Sequence, residues 1–244
     1  MSGASSVCQV GKLNQCSRAW PSGAARAVRA QYSVNMIELV MFDADGVLFD
    51  SEESNVAYYN WIFARIGEPP LDRDEEIATI SFAASEVFAA RARGDAAKLG
   101  RMHDLTRNMD QTPFFKMLRP PIELRPFMLE LKRRYKLGLA TNRSATVPAL
   151  VEHLGLGGVF DAVASALDKV RPKPAPDILR LCLQRAGVDA TRAVYVGDSR
   201  IDREAAERAG MHFIGVGSRI EHHRLIATIA ELQTALELLD ATQA

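Results

Sequence analysis

Five short apolar runs constrain this chain more than any other feature: Ile37–Phe42, Leu137–Ala140, Phe160–Ala164, Ala193–Val196 and His212–Val216. Each is followed at once by Asp, Thr, Ser or Gly, and each is too short for a helix, so each reads as a buried strand. Helix-patterned segments separate the later ones: Arg125–Tyr135, 146–154, Pro176–Ala186 with proline at its start, and Asp202–Ala209 closed by Gly210. Strands alternating with helices at this spacing imply an α/β fold, a Rossmann-like parallel sheet with helices on both faces. One stretch breaks the rhythm. Residues 51–66 and 74–109 carry helical spacing with no strand between them, so 51–114 reads as a small inserted α-helical domain. The α/β core is then 36–50 joined to 115–244, with a last helix expected over roughly 223–239.

Composition narrows the function classes. The formal net charge is zero, which gives no general pull toward nucleic acid or an anionic membrane. No apolar run approaches the roughly 20 residues of a membrane-spanning helix. Cys8, Cys16 and Cys182 form no disulfide framework, and Cys182 sits in a helical apolar pattern as a small core residue. That usage fits a reducing, cytoplasmic setting. Residues 1–35 differ from the rest. Four of the 30 basic residues and none of the 30 acidic ones lie in 1–37, leaving a net charge of about −4 on the remainder. The segment reads as a disordered leader, or as sequence ahead of a start at Met36; its Arg-rich, acid-free character also suits an organellar transit peptide.

Ligands of such sheets sit beyond the carboxyl ends of the strands. There the sequence places Asp43 and Asp45, then Thr141 and Asn142, then Asp198, with Lys173 in a loop before a helix and Asp202 at a helix start. Any one of them could be a turn former or a helix cap. Their convergence on one sheet edge points to a site.

Asp43-Ala44-Asp45-Gly46, Ala140-Thr141-Asn142, Lys173-Pro174-Ala175-Pro176-Asp177 and Gly197-Asp198-Ser199-Arg200-Ile201-Asp202 resemble, in order, the four motifs of the haloacid dehalogenase-like (HAD) hydrolase superfamily. The inserted helices resemble the cap of its phosphoglycolate phosphatase and β-phosphoglucomutase branch. The resemblance implies Mg2+ as cofactor, Asp43 as nucleophile in an aspartyl-phosphate mechanism, and Asp45 as general acid/base. It implies metal ligation by the Asp43 side chain, the Asp45 carbonyl and Asp198, with Asp202 ligating or supporting. Thr141, Asn142 and Lys173 would hold the phosphoryl oxygens. An Asp at position 45 argues for phosphoryl transfer over C–halogen or C–P cleavage. Valine at 47, where threonine is commoner, is a mild departure.

The implied activity is hydrolysis of a small phosphomonoester, of the phosphoglycolate or sugar-phosphate kind, by a monomer or homodimer. A phosphomutase shares the same motifs, and a non-enzymatic metabolite-binding relative is the remaining alternative. In the insertion, Arg91, Arg93, Lys98, Arg101, His103 and Arg107 read as a solvated charged face, or else supply a cation to the cleft. Tyr58, Tyr59 and Trp61 read as packing residues, and His222-His223 as exposed polar residues.

Overall fold

The computed structural model describes residues 36–241. The leader expected over 1–35 lies outside them, as do 242–244. Six strands form one parallel sheet in the order β3-β2-β1-β4-β5-β6. They are β1 (Leu39–Phe42), β2 (Lys136–Thr141), β3 (Ala162–Ser165), β4 (Ala193–Gly197), β5 (His212–Val216) and β6 (Leu225–Ile226). Successive side chains of a strand point to opposite faces, and here both faces are apolar. Val40, Phe42, Leu139, Val194 and Val196 pack against α6 (Leu124–Lys132), α7 (Val147–His153) and α10 (Leu232–Ala241) on one side. Leu39, Met41, Ala140 and Tyr195 meet α8 (Asp177–Ala186) and α9 (Arg200–Ala209) on the other. Cys182 lies fully buried in that second layer. Sheets covered on both faces read as continuous apolar runs rather than alternating ones.

Between β1 and β2 come α1 (Glu52–Arg65), α2 (Arg73–Ser81), α3 (Ala84–Ala92), α4 (Ala96–Asn108) and the single turn α5 (Thr112–Phe115). They gather around their own apolar cluster of Tyr59, Ile62, Phe63, Leu71, Val87, Phe88 and Met102. Local sequence marks their breaks. Asp72 caps α2 in a reciprocal box with Glu75, and Asp95 caps α4 by accepting from the Lys98 amide.

The carboxyl end of the chain departs from expectation. No helix begins near 223. Leu225 and Ile226 instead extend the sheet beside β5, Thr228 caps a short 3-10 turn, and α10 starts at Leu232. A two-residue strand is too short to show alternation, and Ile226, Ile229, Leu232, Leu236 and Leu239 all face the same apolar layer, which imitates helical spacing.

The order of strands places β1 between β2 and β4. The chain's connections diverge at that point, and the carboxyl ends of β1 and β4 leave a crevice there. Asp43 and Asp198 follow those two strands directly.

Candidate active site

Asp43 continues β1 by one residue, its amide donating to the Val196 carbonyl at 2.9 Å. That bond fixes it beside the Gly197-Asp198 end of β4. The chain then turns back at Gly46, whose φ of +73° favours glycine. A side chain there is excluded for a second reason: a Cβ would fall 2.0 Å from Asp198 Oδ2. Glycine in the first motif is thus what lets the loop after β1 lie against the acid after β4.

Lys173 is the hub. Its side chain is 1% exposed, and Nζ donates to Asp202 Oδ1 at 2.7 Å and to the Tyr195 hydroxyl at 2.9 Å. It lies 2.9 Å from Asp43 Oδ1 as an ion pair, although that buried oxygen receives no well-aligned hydrogen bond. Burial works against the ammonium, but the Asp202 and Asp43 carboxylates outweigh it and keep it charged. Asp202 is placed by its helix. As the third residue of α9 it accepts from the Ser199 amide and hydroxyl in a capping box, while Tyr195 anchors to the Ala140 carbonyl at 2.8 Å. Asn142 clasps the Lys173 backbone, accepting from its amide at 2.8 Å and donating to its carbonyl at 3.2 Å.

Carboxylate oxygens of Asp43, Asp198 and Asp202 all lie within 4.8 Å of one another, and all three residues are buried. Burial first, and the neighbouring carboxylates second, push Asp198 up to about 8. Asp43 is raised to about 7 by burial above all, with Lys173 opposing and Asp202 and Asp45 adding to the rise. Such crowding of acids is unfavourable unless a cation joins them. The donor set fits Mg2+, which prefers oxygen ligands. Asp43, whose Oδ1 meets the Lys173 ammonium without a well-aligned hydrogen bond, and Asp198 are best disposed to ligate. Both Asp202 oxygens already serve Lys173, Tyr195 and Ser199, so its fit is that of a support.

Asp45 stands apart from that cluster. Its carboxylate is gripped by Arg143, with Nε to Oδ2 at 2.6 Å and Nη2 to Oδ1 at 2.7 Å. Burial alone would raise its pKa; the guanidinium beside it prevails and holds the carboxyl below the usual range. Thr141 is buried, and its hydroxyl accepts from the Arg143 amide at 3.2 Å. Asp43, Asp45, Thr141, Asn142, Arg143 and Lys173 all line one cleft, whose opposite wall comes from the inserted helices.

A family model for haloacid dehalogenase-like hydrolases matches residues 40–216, most of the chain. The chain belongs to the haloacid dehalogenase-like hydrolases. Fructose-1-phosphate phosphatase YqaB of Escherichia coli (strain K12) is 31% identical over 181 residues, covering 72% of this chain and 95% of that protein. Phosphoglycolate phosphatase of Pseudomonas savastanoi pv. phaseolicola is 28% identical over 200 residues, covering 78% and 73% respectively. Among solved structures, a mutant of CbbY from Rhodobacter sphaeroides in complex with xylulose-1,5-bisphosphate superposes with a TM-score of 0.68 at 29% identity. It covers 82% of this chain and 99% of CbbY. With these relatives the chain is a phosphatase of the HAD family.

Within this HAD phosphatase the structure adds residues that the sequence reading passed over. Arg143 directly follows Thr141-Asn142, yet an arginine after a strand end looks like any surface cation. Tyr195 was counted only as an apolar strand residue. Arg219, in the loop after β5, reaches Asp198 Oδ2 at 3.4 Å and Glu52 at 3.3 Å. Asn142 turns toward the backbone of Lys173 and so shapes the loop, whereas phosphate contact was expected of it. The basic run of the insertion stays out of the cleft. Arg91 is buried over the Phe63 ring against Glu75, Lys98 pairs with Glu68 at 2.6 Å, and His103 lies edge-on to Phe88. Tyr59 packs as expected, edge-on to Phe88, and both it and Tyr58, edge-on to Phe114, also reach the lining of the cleft.

Proposed function

We propose that this HAD phosphatase hydrolyses a small phosphomonoester, of the phosphoglycolate or sugar-phosphate kind, through a phosphoryl group carried on Asp43. One observation supports it above the others: a buried carboxylate, a buried ammonium and two further acids, brought from three distant segments to one strand-end crevice. Relatives that act on fructose 1-phosphate and phosphoglycolate suggest the substrate range. The segment 51–114 is proposed to act as a cap whose helices form the substrate wall.

In the first step an Asp43 carboxylate oxygen attacks phosphorus, the P–O bond to the alcohol breaks, and Asp45 delivers a proton to the departing oxygen. In the second, water attacks the phosphoryl group, Asp45 takes the water's proton, the Asp43–phosphorus bond breaks, and inorganic phosphate leaves. Lys173 holds Asp43 in place and offsets the charge that gathers around it, while Asp202 and Tyr195 keep that ammonium from swinging away. Mg2+, held by Asp43, Asp198 and the Asp45 carbonyl with Asp202 in support, would lower the repulsion between carboxylates and substrate. For Asp45 to act as the acid, its carboxyl must leave the Arg143 fork and take up a proton from solvent before the first step, which it passes to the leaving oxygen.

The test is a panel of phosphorylated metabolites assayed for phosphate release with and without Mg2+. Release from a monophosphate, without any bisphosphate present and suppressed by chelator, is the expected result. Transfer only in the presence of a bisphosphate would replace hydrolase by mutase.

A further inference from the structure

We propose that Arg143 is the receptor for a second anionic group on the substrate, and that the Asp45 carboxylate now in its fork is what such a group displaces. The assignment rests on the phosphomonoesterase reading and narrows its substrate class to esters that also carry a carboxylate or another phosphate.

Two of the cleft-lining side chains are cationic, Lys173 and Arg143. The ammonium of Lys173 is already shared among Asp43, Asp202 and Tyr195, all buried. Arg143 differs. Its side chain keeps 16% exposure, Nε and Nη2 hold Asp45, and among the described residues none accepts a hydrogen bond from Nη1. A guanidinium fork takes a carboxylate or phosphate side-on through two parallel bonds, and Asp45 shows that this fork is oriented for it.

The receptor is also rigidly placed. Nη2 donates to Asn55 Oδ1 on α1 at 3.2 Å, and Asn55 in turn donates to the Thr79 carbonyl and the Ser51 hydroxyl. The guanidinium therefore bridges the strand-end loop and the inserted helices. Among the described residues, the wall those helices present, with Tyr58, Phe82, Gln111 and Phe114, contributes no cation of its own. An ester with a neutral tail has nothing to exchange for the Arg143–Asp45 pair. An ester with an anionic tail replaces one carboxylate with another group of like charge, so the buried guanidinium stays neutralised throughout. The displaced Asp45 is then available to the leaving oxygen. Recognition of the tail and release of the acid become one event.

The experiment uses the full chain with Mg2+ and non-hydrolysable probes. Binding of 3-phosphonopropionate, its neutral carboxamide and ethane-1,2-bisphosphonate is measured by titration calorimetry. The native protein is expected to prefer each probe with an anionic tail over the carboxamide by about tenfold or more, the range of a charge-assisted hydrogen bond. Arg143→Met should erase the preference. Arg143→Lys, which keeps the charge and the fold but not the fork, should reduce it several-fold. No preference in the native protein, or a preference that survives Arg143→Met, overturns the assignment. Phosphate release is assayed in parallel on the matching esters. Discriminating binding without turnover would sink the hydrolase reading and leave Arg143 assigned; turnover indifferent to the tail would do the reverse.

Discussion

The two walls of the cleft follow opposite rules. On the sheet side nearly every polar atom is committed: Lys173 to three partners, Asp202 to three, Asn142 to a backbone on both its ends. On the helical side the facing groups are aromatic or neutral, and Arg91 and Lys98 pair with Glu75 and Glu68 away from the cleft. A committed charge network is rigid and expensive to alter, because each member removed leaves another buried and unpaired. A neutral wall can be resurfaced cheaply. The contrast teaches that a committed charge network and a neutral, replaceable surface are built on different elements, joined where Arg143 meets Asn55.

The comparison can be broken most severely at Asp43, the proposed nucleophile. Asp43→Asn should lower phosphate release by roughly 10⁴-fold or more while the melting temperature stays close to native, because the amide cannot attack phosphorus. Substantial turnover in a folded sample would contradict the sheet-side assignment. Lys173→Met comes next, with a loss of about 10²- to 10³-fold in kcat. It should also lower stability, as Asp43 and Asp202 lose their shared counter-charge. Equal activity with or without the ammonium would show that the network is merely structural.

On the other wall the expected effects are smaller and fall elsewhere. Tyr58→Ala should change KM for the preferred ester by several-fold and leave kcat on a generic aryl phosphate within about twofold, by removing a ring and no charge. A large fall in kcat instead would erase the division between the walls.

A last, milder test uses pH. The folded pKa values of Asp43 and Asp198 are raised, to about 7 and about 8, chiefly by burial. A raised folded value means stability that is full below the unfolded pKa of about 3.9 and is lost as pH climbs through the folded values. Without metal, the melting temperature should therefore fall between about pH 5 and pH 9. Added Mg2+ should flatten that fall by favouring the ionised pair, a result readable by calorimetry without any assay of turnover. A flat profile without metal would remove the acidic crowding from the picture.

Much of the sheet side was legible from sequence. Ile37–Phe42 and Ala193–Val196 announce strands by being short and apolar, and Asp43 and Asp198 are conspicuous because they end them. Asp202 was legible as a helix-start acid. What could not be read were relations with no local signature. That Arg143 would grip a carboxylate 98 residues away depends on β2 lying beside β1. That Tyr195 would turn a hydroxyl into the site depends on which face of β4 it occupies, in a strand apolar on both. The carboxyl-terminal strand was lost because Leu225-Ile226 carries too few residues to display a period. The burial of Arg91, neither solvated nor in the cleft, has no local signature because its partner Glu75 sits on a different helix.

Gly46 contributes to this enzyme by what it lacks. Room for a single methyl group is missing between it and the Asp198 carboxylate, so two turns separated by some 150 positions of chain interlock like a key and its ward. The place of one turn therefore constrains the place of the other. Recovery of catalytic competence on refolding should then coincide with the zipping of β1 to β4, and a methyl at position 46 should jam both at once.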